Sequence, residues 1–150
     1  MSYLSAEPVD PIALLDAFTR AADGAGAIVS FTGVVRGDGD VSELWLDHHP
    51  RLTEQAVGEI AAEAKQRFEI DALTIVHRIG GVAPGKPIVF VAASSRHRRS
   101  AFDAVDYAMD RLKTDVPLWK RETGADGSRW IEARPEDHAD RGRWETIDER

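Results

Sequence analysis

Residues 73–93 read LTIVHRIGGVAPGKPIVFVAA. Leu73, Ile75, His77 and Ile79 fall on every second position, the period of a strand with one face buried. Gly80-Gly81-Val82-Ala83-Pro84-Gly85 breaks the run with three glycines and a proline, the composition of a turn. Ile88 to Ala93 is continuous apolar sequence, short enough for a buried strand. Strands joined by so short a link run antiparallel. A similar pair stands upstream. Gly26 to Val35 (GAIVSFTGVV) has the composition of a buried strand, Gly37-Asp38-Gly39-Asp40 is a turn, and Ser42 to His49 places Leu44, Leu46 and His48 on one face.

Helical patterns separate the pairs. Asp10 is an N-cap residue before Pro11 at the first helical position, Ile12, Leu15 and Phe18 lie three apart, and Asp23-Gly24 stops the run. Pro50 opens a second helix with Leu52, Ala56, Ile60, Ala64 and Phe68 as its apolar stripe. Ser94-Ser95 is expected to cap a third, which runs to about Thr114 with Ala101, Phe102, Val105, Ala108, Met109 and Leu112 facing inward and Pro117 closing it. Two short strands follow, Leu118–Glu122 and Arg129–Glu132, around Gly124-Ala125-Asp126-Gly127. The order α-β-β-α-β-β-α-β-β predicts an α+β domain, a mostly antiparallel sheet with helices packed on it. We expect one domain over residues 1–134, with 1–9 a loose arm, and a charged C-terminal tail over 135–150 anchored at most by Trp144.

The chain has 150 residues, 43% of them hydrophobic, enough for a core without staples. Cysteine is absent, which excludes a disulfide framework, a thiolate metal site and a cysteine nucleophile. No apolar run approaches a membrane span and the N-terminus has no signal-peptide pattern, so the expected location is the cytoplasm. A net charge of −7 argues against nucleic acid as a partner. The charge is uneven, however. Residues 86–121 carry 8 basic and 4 acidic groups, a net of +4, between segments of −7 and −4. A cationic stretch inside an acidic chain suggests a site for a small anion; the alternative is a helix with one basic face.

Three places carry candidate chemistry. Ser94-Ser95-Arg96-His97-Arg98-Arg99-Ser100 lies where a strand meets a helix, and free N–H groups at such a junction suit an anion. Cations there oppose the helix dipole, so they need an anion, or pairing with Asp103 and Asp106, to offset them. Lys113 and Lys120 are flanked by apolar groups, which either depress an amine's pKa for acid, base or nucleophile work or merely let it snorkel. Arg36 ends a buried strand beside a glycine turn, a position either solvated or facing a ligand. His48, His49, His77 and His97 show no metal-ligand spacing, no phosphate-loop motif occurs, and His77 and His48 read as structural.

Several patterns then combine. Phe31-Thr32-Gly33-Val34-Val35-Arg36, Leu46-Asp47-His48-His49-Pro50, His77-Arg78-Ile79-Gly80, Ser95-Arg96-His97-Arg98, Met109-Asp110-Arg111-Leu112-Lys113-Thr114 and Pro117-Leu118-Trp119-Lys120-Arg121-Glu122 together resemble the MoaE family, the large catalytic subunits of molybdopterin synthase. The resemblance runs from about Gly26 to Arg134.

It implies an α+β fold with a hammerhead-like β element and a sulfurtransferase activity that converts cyclic pyranopterin monophosphate (precursor Z) to the molybdopterin dithiolene. Sulfur would arrive as a thiocarboxylate on the C-terminal Gly-Gly tail of a small ubiquitin-like subunit. Two small subunits would flank a central dimer of the large one, with no cofactor and no metal. By the same resemblance Lys113 and Lys120 are catalytic. Val34, Val35, Arg36, His97, Arg98, Arg121, Glu122 and Arg134 join them in binding substrate. The competing expectation is a non-enzymatic anion-binding or scaffold module for a ubiquitin-like partner, and a third is different chemistry on a phosphorylated heterocycle.

Overall fold

A computed structural model describes residues 2–148. Its elements run β1 (Ser2–Ser5), α1 (Pro11–Ala21), β2 (Ala27–Val34), β3 (Glu43–His48), α2 (Leu52–Arg67), β4 (Ala72–Arg78), β5 (Gly80–Val82), β6 (Pro87–Ser95), α3 (Arg98–Thr114), β7 (Leu118–Gly124), β8 (Gly127–Ile131) and α4 (Pro135–Asp148). The α+β class follows. The strands form two four-stranded sheets, ordered β1-β4-β6-β2 and β5-β3-β7-β8. Every pairing is antiparallel except β1 with β4.

The apolar run of β4 and β6 is explained by helices on both faces of the first sheet. Leu73, Ile75, Val89, Val91 and Ala93 pack against Val57, Ile60 and Ala64 of α2 and Ala101, Ala104, Val105 and Ala108 of α3. Val76, Phe90 and Ala92 point the other way, onto Leu14, Leu15 and Phe18 of α1. A third cluster, Val35, Leu44, Leu46 and Val82, lies beneath the second sheet.

Several local expectations change. The first strand pair is not a hairpin: β2 pairs with β6, and β3 pairs with β5 and β7. Nor is β2 buried. It is the edge strand of its sheet, and Phe31 and Val34 are 40% and 49% exposed. The glycine turn after β4 contains β5, because Gly80 at φ +80° lets the chain leave the first sheet and join the second. Ser94 and Ser95 do not cap α3. They extend β6 opposite Ile28 and Ala27, and the N-cap is His97, without a side-chain cap bond. In α3, Phe102 is exposed while Ala104 and Tyr107 are buried.

The buried face of α2 is Thr53, Val57, Ile60 and Ala64: its second half follows the expected stripe, its first half turns by one position from Leu52 and Ala56 to Thr53 and Val57, and Leu52 is exposed. Thr53 sets this rotation. Its Oγ1 donates to the Pro117 carbonyl at 2.7 Å and accepts the His49 N–H at 2.8 Å. Thr53→Val conserves shape but strands both groups. It is expected to lower unfolding free energy by about 1–3 kcal/mol, read as a lower denaturant midpoint at unchanged slope; an unmoved midpoint would contradict this.

Both termini differ most from expectation. The supposed arm contains β1, whose residues Ser2–Ser5 lie parallel to Ile75–Arg78. The supposed tail is α4, so the boundary after Arg134 has no structural counterpart. Trp144 is buried edge-to-face against Phe68 and Tyr107, and its Nε1 donates to Asp110 Oδ2 at 2.7 Å. Arg143 donates to the same oxygen at 2.8 Å. These bonds dock α4 on α3 and bring the first turn of α4 to a cavity.

Candidate active site

The cavity, about 1040 Å³, opens where the end of β2, the last turn of α3, strands β7 and β8 and the start of α4 converge. Each element delivers its residues for a local reason. The register of β2 against β6 shifts between Gly33 and Val34, which turns Val34, Val35 and Arg36 toward the opening. Met109, Leu112 and Lys113 lie on one face of α3 by helical spacing. On β7, alternation sends Leu118, Lys120 and Glu122 inward.

Of the expected site residues, the cavity gathers Val34, Val35, Arg36, Lys113, Lys120, Glu122 and Arg134. Arg121 is not among its walls. Its guanidinium stacks between Trp45 and Trp130, 6.0 and 5.6 Å from the ring centroids. Strand alternation dictates this, since Arg121 stands opposite both rings on neighbouring strands. His97 and Arg98 also lie elsewhere. They are exposed at the far end of α3, sixteen positions before Lys113, or about 24 Å of helix. β2 gives the same separation: Gly26, at its start, is so close to the Arg96 carbonyl that a Cβ would sit 2.1 Å from it, whereas the cavity is at its end. Arg96, Arg98 and Arg99 have no ion-pair partner among the described residues, and Asp106 is taken by Arg143 instead.

The electrostatics separate the two lysines. Lys120 is mostly buried, and burial pushes its amine below the ordinary lysine range. The charge of Lys113 pushes the same way, and Asp137 partly opposes both. Lys113 is more exposed and faces Asp137, with Nζ 3.7 Å from Oδ1. Arg36 extends into solvent, 3.8 Å from an equally exposed Asp38, an ion pair worth little. Glu122 is held by Arg129 at 3.1 Å.

Two residues enter the site that sequence reasoning did not assign to it. His77 lines the cavity although 5% exposed, its Nδ1 2.7 Å from the Arg78 carbonyl oxygen. Burial lowers its pKa to about 4, and the nearby Lys120 adds to this; the carbonyl only partly opposes them. The ring is therefore neutral at pH 7. Asp137 is 8% exposed. Its Oδ2 accepts the Arg134 backbone N–H at 3.0 Å, and its Oδ1 lies 3.4 Å from Arg134 Nη2. Burial alone would raise this carboxyl, but the Arg134 N–H and guanidinium and the Lys113 charge outweigh it and hold the pKa below the ordinary range. The only sequence signal for Asp137 was its place three residues beyond Arg134, where an acidic side chain reaches back to a helix's first N–H.

The two sheets and the C-terminal helix of this α+β domain enclose a cavity in which Lys113, Lys120, Arg36, Arg129 and Arg134 stand among six carboxylates, and its clustered cations can hold the anionic groups of a small molecule. Comparison with known proteins narrows this further. Residues 4–115 match the family model described as MoaE protein, and the chain belongs to the MoaE family. It is 50% identical over 139 residues to the molybdopterin synthase catalytic subunit of Pseudomonas aeruginosa, covering 91% of this chain and 93% of that one. Among solved structures, the molybdopterin biosynthesis MoaE protein of Burkholderia ambifaria superposes with a TM-score of 0.82 at 40% identity, covering 96% of this chain and 97% of that one. Molybdopterin synthase from Staphylococcus aureus does so with a TM-score of 0.76 at 31% identity, covering 85% and 94%.

Proposed function

We propose that this chain is the large, catalytic subunit of a molybdopterin synthase, a sulfurtransferase. It passes sulfur from the thiocarboxylate of a small ubiquitin-like subunit to cyclic pyranopterin monophosphate in molybdenum cofactor biosynthesis. The observation that carries this reading is the convergence of Lys113, Lys120, Arg36 and Arg134 on one cavity in a member of this family. Both reactants are anions, a cyclic phosphate and a thiocarboxylate, and the cations give them charge-assisted hydrogen bonds. The amines divide the remaining work. Lys120, whose burial favours its neutral form, is the better proton acceptor. Lys113, beside a carboxylate, is the better fixed cation for an oxyanion that develops as sulfur leaves the tail carbonyl. The proposed location is the cytoplasm; among the described residues no helix is long and apolar enough to cross a membrane.

The resemblance placed His97 and Arg98 in the same pocket as Lys113, and a helix length separates them within one chain. In the central dimer that the family resemblance implies, the second copy supplies them. The test is complementation between two inactive variants. Lys113→Ala and His97→Ala/Arg98→Ala chains, each weak alone, are mixed so that dimers re-form. Mixed dimers hold one intact site, so about a quarter of wild-type activity is expected after random exchange. No recovery in dimers shown to have exchanged would mean that both sets act within one chain, and a His97→Ala/Arg98→Ala chain fully active alone would remove that pair from the site.

The function itself is tested by mixing the protein with thiocarboxylated small subunit and precursor Z. The dithiolene product is assayed after oxidation to its fluorescent derivative. Product supports the synthase; a stable complex without product points to a scaffold.

A further inference from the structure

We propose that Asp137 is a positioning residue of this active site: its carboxylate, delivered by the first turn of α4, ties Lys113 and Arg134 to one point and sets the charge shared by the lysine pair. This deepens the sulfur-transfer reading and, for its effect on turnover, rests on it.

Three observations carry it. The carboxylate is nearly buried yet lines the cavity, so its charge acts through low-dielectric surroundings rather than through water. Its two oxygens are used differently. Oδ2 is spent on the Arg134 backbone N–H, which fixes the side chain's rotamer, while Oδ1 faces Arg134 Nη2 at 3.4 Å and Lys113 Nζ at 3.7 Å. Asp137 also acts on Lys120, favouring that amine's charged form against burial and against Lys113. The other titratable groups on the cavity wall are His77 of β4, Glu122 of β7, Arg129 of β8, Arg36, Asp38 and Asp40 beyond β2, and Asp126 and Glu132 on either side of β8. His77 is neutral, and Glu122 is occupied by Arg129 at 3.1 Å. Among the described residues, Asp137 is the carboxylate in ion-pair distance of Lys113.

The purely structural alternative is a helix cap, and the substitution that separates the two is Asp137→Asn. Asparagine keeps an oxygen for the Arg134 N–H and removes the charge. A carboxylate near an ammonium favours the charged form, so its loss must lower the pKa of Lys120, which Asp137 supports against burial. Competitive labelling of Lys120 across pH, read by peptide mass spectrometry, should show its midpoint falling in Asp137→Asn. Turnover of the reconstituted synthase should fall about 10- to 100-fold at a KM changed far less, since both reactants still bind. Asp137→Glu, which restores the charge, should return the Lys120 midpoint toward wild type.

A second measurement avoids any change at position 137. In Lys113→Met the Asp137 carboxyl, followed by carbon-13 chemical shift, should titrate at higher pH than in the wild type. An unmoved Lys120 midpoint in a folded Asp137→Asn, or an unmoved Asp137 titration in Lys113→Met, would overturn the proposal and leave Asp137 as a cap. Shifted midpoints in a protein that makes no dithiolene even as wild type would uphold the coupling and refute the sulfur-transfer reading instead. Shifted midpoints with unchanged turnover would refute the positioning role.

Discussion

Lys113→Ala is expected to cut dithiolene formation by at least about 100-fold, the scale of a lost acid–base or charge-stabilising group, while the two subunits still associate. Lys113 is placed for this by the last turn of α3, between Met109 and Leu112 on the apolar side and Asp137 on the polar side. Its side chain is 41% exposed, so removing it should cost little stability and the variant should fold. That makes the loss interpretable as chemistry. Lys113→Arg refines the result. A guanidinium supplies charge but does not give up a proton at neutral pH. If Lys113 acts as a fixed cation, Arg recovers much of the rate; if it moves a proton, Arg recovers none. The same pair of changes at Lys120 should give the opposite pattern, with Arg failing, because burial has favoured the neutral amine there. Near wild-type turnover in Lys113→Ala would remove the residue from the mechanism.

The second large effect is on stability in acid. Between pH 6.5 and about 4 the fold is expected to lose about 3 kcal/mol through His77 alone. The unfolded chain's imidazole takes up a proton on passing its ordinary pKa of 6.5, whereas the buried ring resists protonation down to about 4. Through that window the unfolded state binds more protons, so acid favours it. The stabilised carboxylates Asp137, Asp115 and Glu63 act in the same direction. Their ordinary values lie near 4, so their loss falls mostly below the histidine window. Denaturant unfolding at intervals from pH 7 to pH 4 should show a steep decline for the wild type and a much shallower one for His77→Gln. Parallel curves would show that the ring is solvated in the native state.

Where the sequence misled, the reason is specific. The central strands were legible because β4 and β6 are covered on both faces, so burial leaves an apolar record in nearly every residue. β2 carries a similar record yet lies at an edge; apolar composition does not say how many neighbours a strand has. β1 and α4 were hidden for the opposite reason. β1 is only four residues long, and among the described side chains of α4 the buried ones, Trp144 and Asp137, stand between charged neighbours. The site was legible wherever a motif sat at the end of an element pointing inward. Arg121 was separable from Lys120 and Glu122 by alternation alone. So was His97 from Lys113, since sixteen helical positions cannot close on one small molecule. Asp137 was out of reach, because its importance depends on α4 docking through Asp110.

The parallel pairing of β1 with β4 bears on how the chain is made. Ser2 lies opposite Ile75, about seventy residues later in synthesis. At about 5–20 residues per second, the β1 segment waits several seconds before its partner emerges, long after α1 and β2 are available. This contact is the one parallel, most distant pairing of its sheet, so closing its loop costs the most chain entropy of any pairing there. A fusion joined directly ahead of Ser2 would therefore act on the longest-range pairing of the sheet, and a spacer of several flexible residues should relieve it.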